Sequence, residues 1–366
     1  MTATTAQLTL RELRVRAVQV PLRLPLQTSG GTVRVAPLAL IDLVTEEGVS
    51  GRSYLFCYTP PALKPVVQLL ENLSALLKGD AVAPLEIDQK LQRTFRLLGV
   101  TGLTAMAMAG IDMAAWDALA CAAQLPLARL LGGALRRVPA YNSCGLGIIG
   151  ASRAAAEASE LVAPGFNGVK VRLGYPDLKT DVEVVRAVRR AIGEGIQLMS
   201  DYNQTLTVAE GLRRAEALRD EGLAWIEEPT RADDHEGHAQ IRRKARVPIQ
   251  IGENWWGPHD MARSLAAGSC DLGMPDAMKI GGVSGWLRAA ALAEPAGLPI
   301  SSHLFPEISA HLLAVSPTAH WLEYVDWAEP VLQTPLRIDQ GDAVIADLPG
   351  SGIEWNESAV KQYLVP

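Results

Sequence analysis

Cysteine is scarce in this chain, and the cysteines that occur lie far apart. Cys57, Cys121, Cys144 and Cys270 are the four present among 366 residues. A zinc site built on cysteine needs closely spaced pairs, and a disulfide scaffold needs a much higher density of cysteine. The pattern therefore indicates buried free thiols rather than a disulfide framework or a structural zinc site.

A large excess of charge is also missing. The 34 basic and 40 acidic residues are interspersed and give a formal net charge of −6, with a pI of about 5.6. This balance argues against nucleic acid or an anionic membrane as a partner. We therefore expect the main partner to be a small molecule.

Long apolar runs and targeting signals are not evident either. No uninterrupted run approaches the roughly 18 apolar residues that a membrane-spanning helix requires. Residues 1–6 lack the basic region and the apolar core of a secretory signal. We therefore expect no membrane partner and a cytoplasmic location.

Length and apolar content, by contrast, are ample. With 366 residues and 48% hydrophobic residues, the chain can form a barrel of roughly 250 residues and a smaller second domain. Residues 10–56 have strand-like alternation, and the Gly-rich segment 28–33 within them is predicted to be a mobile flap. Residues 61–131 have helical spacing instead.

From about Val138 the pattern changes to short β-rich runs that alternate with helices, and it stops beyond Pro330. Eight such runs predict an α/β fold, specifically a (β/α) TIM-type barrel. The remaining tail is expected to pack back on the N-terminal part. The eight candidate strands are residues 138–142, 168–173, 197–201, 224–227, 248–252, 272–275, 299–302 and 321–323.

Three of these strands lead into a carboxylate at an even interval of 26 residues, namely Asp201, Glu227 and Glu253. Parallel strands end at the same side of a sheet, so the three acids are expected to converge. Such a cluster needs a cation, and an all-oxygen ligand set suits Mg²⁺ or Mn²⁺ better than zinc. The alternative is that each acid caps the helix that follows it.

Further polar residues fall at the ends of candidate strands, where barrel active sites lie. Lys170 and Arg172 alternate on one strand and are both expected to face the interior. His303 and Asp276 come from adjacent strands, and a carboxylate that orients an imidazole makes a good general base. This set suits abstraction of a proton next to a carboxylate. Asn203, Lys279 and Glu323 complete it.

Several longer segments resemble the mandelate racemase branch of the enolase superfamily, and the resemblance extends over nearly the whole chain. They are Ser53-Tyr-Leu-Phe, Gly110-Ile-Asp-Met-Ala-Ala-Trp-Asp, Asp201-Tyr-Asn-Gln, Trp225-Ile-Glu-Glu-Pro-Thr, Gly252-Glu-Asn-Trp, Met274-Pro-Asp-Ala-Met-Lys-Ile-Gly-Gly, Ser301-Ser-His-Leu-Phe and Thr318-Ala-His-Trp-Leu-Glu.

The resemblance implies an α+β capping domain at residues 1–135 with a flap that closes over the substrate. It further implies a modified (β/α) barrel at residues 136–330 and a C-terminal segment, 331–366, that returns to the cap. Members of this family tend to form homo-oligomers, so we expect one here.

The resemblance also implies a role for each site residue. Asp201, Glu227 and Glu253 would be ligands of Mg²⁺, with Mn²⁺ as an alternative. Lys170 and Glu323 would hold the carboxylate of a small-molecule substrate, Glu323 as a protonated or strongly hydrogen-bonding acid. His303, paired with Asp276, would be the base on one face. The other expected substrate contacts are Asn203 at the α-hydroxyl, Ser143, Lys279 and the cap residues Leu26, Val33, Phe56 and Tyr58.

One position departs from the racemase pattern. That pattern has Lys-x-Lys on the second barrel strand, whereas this chain has Lys170-Val-Arg172. Arginine stays protonated in proteins and is therefore a poor acceptor of a carbon-bound proton. Because a racemase needs a base on each face, this departure bears directly on the reaction.

Three functions remain open from the sequence. The first is racemisation, or at least reversible enolisation, of an aryl 2-hydroxy acid, which the apolar cap residues favour. The second is dehydration of an acid sugar, which needs only one base, His303. The third is a catalytically idle metal-binding homologue that has lost its second base.

Overall fold

The computed structural model describes residues 7–365, and it begins with a three-stranded antiparallel sheet. Its strands are β1 (Leu10–Thr28), β2 (Gly31–Thr45) and β3 (Ser50–Phe56). The predicted flap lies at the tip of the β1–β2 hairpin, where Thr28 pairs with Gly31 and Leu26 pairs with Val33. Apolar residues of this hairpin are thereby held at the end of a long ribbon.

Four helices follow the sheet and complete the capping region. They are α1 (Pro60–Leu77), α2 (Pro84–Thr94), α3 (Leu103–Ala122) and α4 (Leu127–Leu130).

The helix α3 is the apolar centre of this region. Its length and composition would suit a membrane-spanning helix, but 78% of its most apolar 18-residue stretch is buried inside the protein. It packs closely on β3, because a Cβ at Gly51 would lie only 2.0 Å from the carbonyl oxygen of Ala114. Burial on several sides explains why α3 is apolar all round. Its environment is that of a core helix.

The second region is a barrel of parallel strands with helices outside it. Hydrogen bonds connect the strands in chain order, and the last strand pairs with the first to close the barrel. The elements are β4 (Val138–Asn142), α5 (Ala151–Val162), β5 (Gly168–Arg172), α6 (Leu178–Ile192), β6 (Gln197–Asp201), α7 (Val208–Ala217), β7 (Leu223–Glu227), α8 (His235–Lys244), β8 (Ile249–Ile251), α9 (Pro258–Ala267), β9 (Leu272–Gly273), α10 (Gly282–Ala296), α11 (Pro306–Ala314) and β10 (Leu322–Tyr324).

The predicted seventh strand, residues 299–302, is not a regular strand. Its place between β9 and β10 is taken by isolated parallel bridges, from Gly273 to Ile300 and from Ile300 to Ala319. The stretch is too short for a ladder, although its backbone still bonds to both neighbours. A further bridge joins Asp276 to His303. The barrel therefore closes, and these two side chains are brought together at its C-terminal end.

The tail contacts both regions. It contains β11 (Arg337–Asp339), β12 (Asp342–Val344) and α12 (Glu357–Tyr363). Strand β12 pairs antiparallel with β4 of the barrel, whereas Leu364 forms a bridge with Val18 of the cap sheet. The tail thus joins the barrel to the capping region.

Candidate active site

Three carboxylates meet at the C-terminal end of the barrel, as their equal spacing predicts. Asp201 ends β6, Glu227 ends β7, and Glu253 lies two residues beyond β8. All three are buried, and one oxygen of each lies within 4.8 Å of the others. They do not cap helices, because the N-caps of α7, α8 and α9 are Thr207, Asp234 and Gly257.

The charge of this cluster fits a divalent cation. Burial, reinforced by neighbouring carboxylates, raises the pKa of Asp201 above its ordinary value and that of Glu227 to about 8. Lys170 opposes both shifts without overcoming them. The raised pKa values show that Lys170 does not offset the burial and mutual repulsion of these carboxylates, and oxygen ligands of this kind suit Mg²⁺. Asp201, Glu227 and Glu253 are therefore the residues that would hold the ion.

Lys170 on β5 lies among these acids. Its Nζ is 2.7 Å from Glu323 Oε1, 2.5 Å from Glu227 Oε1 and 3.7 Å from Asp201 Oδ2. Burial alone favours the neutral amine, but the carboxylates outweigh it and raise the pKa of Lys170. The lysine is thus a buried ammonium that holds its neighbours in place.

Glu323, at β10, accepts three hydrogen bonds. They come from Lys170 Nζ, from Ser143 Oγ at 2.7 Å and from the backbone N–H of Leu304 at 2.9 Å. Although burial raises the pKa of Glu323, Lys170 and His303 outweigh it and hold that pKa below its usual range. In this structure Glu323 is therefore an ionised acceptor, which differs from the protonated or strongly hydrogen-bonding acid that the resemblance implies.

His303 and Asp276 form the expected pair. Asp276 Oδ2 lies 2.6 Å from His303 Nδ1, and Asp276 Oδ1 accepts the backbone N–H groups of Met278 and Lys279. With Asp276 fixed in this way, the neutral form of the ring carries its proton on Nδ1 and leaves Nε2 as the proton acceptor. Burial lowers the pKa of His303, but Glu253, Glu323 and Asp276 together raise it to about 9.

Arg172 faces the interior, as the strand alternation predicts, but its guanidinium is bound to the protein. Nη1 donates to the carbonyl oxygens of Ser143 at 2.9 Å and Gly145 at 3.1 Å, and Nη2 donates to Ser143 Oγ at 2.8 Å. Its Nε has no hydrogen-bond partner among residues 7–365, although it lies 4.0 Å from Asp201 Oδ2. Arginine side chains stay protonated in proteins, and these hydrogen bonds hold the guanidinium in one position, so Arg172 is a fixed cation.

Two of the three remaining predicted polar contacts, Asn203 and Lys279, line the same cavity, which has a volume of about 520 Å³. Asn203 Nδ2 donates to Asp201 Oδ2 at 2.8 Å, so its amide lies beside the candidate metal ligands. Lys279 Nζ donates to Asn254 Oδ1 at 2.5 Å and lies 4.4 Å from the centre of the Tyr58 ring. Ser143 contacts the cavity only through Arg172 and Glu323, because it is not among the lining residues.

The cap supplies the apolar side of this cavity. All four predicted cap residues line it, namely Leu26, Val33, Phe56 and Tyr58. Further apolar residues line the cavity without a clear sequence signal, because each lies in a helix or loop that packs elsewhere as well. These are Leu103, Met106, Trp256, Leu304 and Trp327.

A fourth carboxylate, Glu228, also escaped prediction. Strand alternation would turn it away from Glu227, but its positive φ of 37° turns the chain, and it is buried beside the cluster. Asn254 Nδ2 donates to both of its oxygens and to Glu253 Oε1. Burial, reinforced by Glu253, raises the pKa of Glu228 well above its ordinary value. The repeated acid in Glu227-Glu228 was the available signal.

Two family models match the chain. Residues 10–132 match the mandelate racemase / muconate lactonizing enzyme N-terminal domain, and residues 153–359 match the enolase C-terminal domain-like family. A curated relative, L-talarate/galactarate dehydratase from Salmonella typhimurium LT2, is 33% identical over 264 residues. That match covers 72% of this chain and 66% of the dehydratase, just under two thirds of its length.

Two solved structures are similar over nearly their whole length. An enolase from alpha proteobacterium BAL199 with bound magnesium is 47% identical, with a TM-score of 0.96 over 98% of this chain and 100% of that one. An enolase from Bradyrhizobium in complex with magnesium and mandelic acid is 44% identical, with a TM-score of 0.94 over 99% of each chain. The chain therefore belongs to the mandelate racemase / muconate lactonizing enzyme family and is a Mg²⁺-dependent enzyme of the enolase superfamily.

Proposed function

We propose that this enzyme removes the α-proton of a 2-hydroxy carboxylate that carries an apolar, ring-bearing substituent. The observation that carries the proposal is the position of His303. Its Nε2 faces the cavity 3.3 Å from Glu253 Oε2, while Asp276 holds the other ring nitrogen. A base is thus placed beside a candidate metal ligand in a cavity with an apolar cap.

His303 would take the proton at Nε2. The resulting imidazolium is stabilised by Asp276 at 2.6 Å and by Glu323, whose Oε2 lies 3.9 Å from Nε2. When bound, Mg²⁺ would supply positive charge that withdraws electrons from the substrate carboxylate. The Lys170 ammonium, fixed by two carboxylates, offers the same carboxylate a second cation that needs no reorganisation during the reaction.

The apolar side of the cavity supports the class of substituent. The Phe56 ring is tilted against both Tyr58 and Trp327, with centroid distances of 4.8 Å and 5.0 Å, which makes a continuous aromatic surface. Sugar hydroxyls placed against such a surface would lose hydrogen bonds to water without replacement. A ring loses nothing there. The mandelic acid bound by the Bradyrhizobium relative has the same chemistry.

The other side of the cavity limits the reaction. Arg172 lies on β5, which is separated from His303 by β4 and β10, and its guanidinium already donates to carbonyl oxygens. It can stabilise negative charge but cannot alternate between acid and base. We infer reversible enolisation driven by one base, with inversion slower than exchange of the α-proton.

Dehydration of an acid sugar is the second candidate, because a single base suffices for it. His303 would remove the α-proton and then protonate the departing β-hydroxyl on the same face. The relative from Salmonella typhimurium is an L-talarate/galactarate dehydratase. The polar groups of Asn203, Asn254 and Lys279 on one side of the cavity favour this reaction, whereas the aromatic surface opposes it.

Both reactions can be tested on one preparation. Each mandelate enantiomer is incubated in D₂O with Mg²⁺ or with a chelator, and α-deuterium incorporation is followed by NMR. The same enzyme is then given a set of hexarates, and 2-oxo products are measured. We expect Mg²⁺-dependent exchange of mandelate. Oxo-acid formation from a hexarate without mandelate exchange would favour the dehydratase. The absence of both reactions would contradict both candidate functions.

A further inference from the structure

A second cavity lies directly beside the substrate cavity. It has a volume of about 690 Å³ and is bounded by α3 of the cap and by α9 and α10 of the barrel. The residues that line both cavities are Trp256 and Lys279. These two side chains therefore form the partition between the substrate site and the second cavity.

Much of the lining of the second cavity is apolar and built from small side chains, and its charged residues are Asp88, Asp112, Lys279 and Arg288. It includes Ala105 and Ala109 on α3, Ala262 on α9 and Ala291 on α10, with Met108 and Leu292 beside them. Small residues on three facing helices leave a space between them rather than a packed seam. A surface of this composition suits an apolar group, and its volume is within the range of roughly 300–1,000 Å³ that is usual for ligand sites.

The two residues of the partition are held differently. Lys279 is fixed towards the substrate side by Asn254, at 2.5 Å, and by the Tyr58 ring. The indole of Trp256, by contrast, has no hydrogen bond from its N–H within residues 7–365, whereas Trp116 and Trp286 each donate to a serine hydroxyl. The indole is positioned by packing and by a cation–π contact of 5.9 Å to Lys279, while the backbone N–H of Trp256 donates to Asp260 Oδ2 at 3.1 Å.

We propose that Trp256 is a specificity-determining residue that closes the second cavity to the substrate. The inference rests on the proposed function and narrows its substrate class. The substrates are 2-hydroxy acids whose apolar substituent contains one ring, because the indole leaves no room for a second. Without the indole, the site extends into the second cavity and accepts a second ring in line with the first.

Two 2-oxo acids test this without turnover, because neither has an α-proton. Phenylglyoxylate carries one ring and 4-biphenylylglyoxylate carries two, and their binding to the Mg²⁺-loaded enzyme is measured by calorimetry. The quantity compared is the ratio of the affinity for the two-ring acid to the affinity for the one-ring acid. We expect this ratio to be roughly tenfold higher in Trp256→Ala than in the wild type. The truncation leaves no hydrogen-bond partner of the indole unsatisfied, so the fold is expected to persist.

Two further variants separate this effect from simple enlargement. Ala262→Phe, added to Trp256→Ala, fills the second cavity from a position that does not line the substrate cavity, and it should abolish the gain. Trp327→Ala enlarges the substrate cavity at a residue that does not line the second one, and it should leave the ratio within about threefold of wild type.

The outcomes distinguish this inference from the proposed function. Binding of both acids with an unchanged ratio in Trp256→Ala, or a gain that survives Ala262→Phe, would overturn the role of Trp256 alone. If neither acid binds any variant while the protein is folded and binds Mg²⁺, the proposed substrate class is wrong and the inference fails with it.

Discussion

The two sides of the substrate cavity use buried nitrogen groups in opposite ways. On one side, His303 has one ring nitrogen held by Asp276 and the other turned to the cavity. On the other side, Arg172 donates to Ser143 and Gly145 and has its charge fixed by them. The first group can change its protonation during a reaction, and the second can only maintain a positive charge. Burial alone does not make a catalytic base; a free acceptor atom is also needed.

The largest effect is expected from the His303 side. The variant His303→Asn lacks the base but keeps a polar side chain, so the rate of α-proton exchange should fall by on the order of 10³-fold. The measurement is deuterium incorporation into mandelate. His320→Asn is the matched control, because His320 lies outside the residues that line the cavity. If His303→Asn kept more than a tenth of the wild-type rate, the base would have to be sought elsewhere.

The pH dependence of α-proton exchange in the wild-type enzyme shows whether a base works on one side of the cavity or on both. His303 accepts a proton only when neutral, and its pKa of about 9 is raised by Glu253 among others, so Mg²⁺ bound to Glu253 should lower it towards the ordinary 6.5. The apparent pKa of exchange should therefore lie between about 6.5 and about 9, and below it the exchange rate should fall about tenfold for each pH unit. One base gives a slope of one in the logarithmic profile. A slope of two would mean that a second group must also lose a proton.

Arg172→Lys changes the fixed side directly. A lysine amine can lose and regain a proton, which the guanidinium cannot, so inversion relative to exchange should rise by roughly tenfold or more. Optical rotation and deuterium incorporation are followed together. Arg172→Met, which lacks both charge and base, should show no such rise. An equal rise in Arg172→Met would mean that proton return comes from solvent admitted by the smaller side chain.

The smallest effect is expected at Ser143, which connects Arg172 to Glu323. Its Oγ lies between Arg172 Nη2 at 2.8 Å and Glu323 Oε1 at 2.7 Å. Ser143→Ala removes both bonds, and a loss of about 1 kcal/mol would reduce kcat/KM for exchange roughly fivefold. Ser200→Ala is the control, because the one hydrogen bond of this buried hydroxyl within residues 7–365 is to the carbonyl oxygen of Trp225. Equal losses in the two variants would assign the effect to general destabilisation.

Much of the reactive centre could be predicted from the sequence because strand ends are set by local pattern. Asp201, Glu227 and Glu253 recur at equal intervals in a βα repeat, and such a repeat places them together whatever the loops do. The pair of His303 and Asp276 followed from the same rule, although the strand that carries His303 is reduced to isolated bridges.

The fixed state of Arg172 could not be predicted in this way. It depends on the carbonyl groups of the loop after β4, where Gly145 and Leu146 have φ values of 57° and 47°. The direction of a loop carbonyl is set by tertiary packing rather than by residue pattern. Glu228 was missed for a related reason, since a positive φ reverses its expected direction. The second cavity likewise arises from three helices that are distant in sequence.

The asymmetry between His303 and Arg172 is tested most directly by following exchange and inversion in one sample. Each mandelate enantiomer is incubated separately with the Mg²⁺-loaded enzyme in D₂O, and deuterium content and optical rotation are recorded at the same times. We predict that one enantiomer exchanges its α-proton many times for each inversion. Exchange and inversion at equal rates from both enantiomers would show a working base on each side, and would contradict the assignment of Arg172 as a fixed cation.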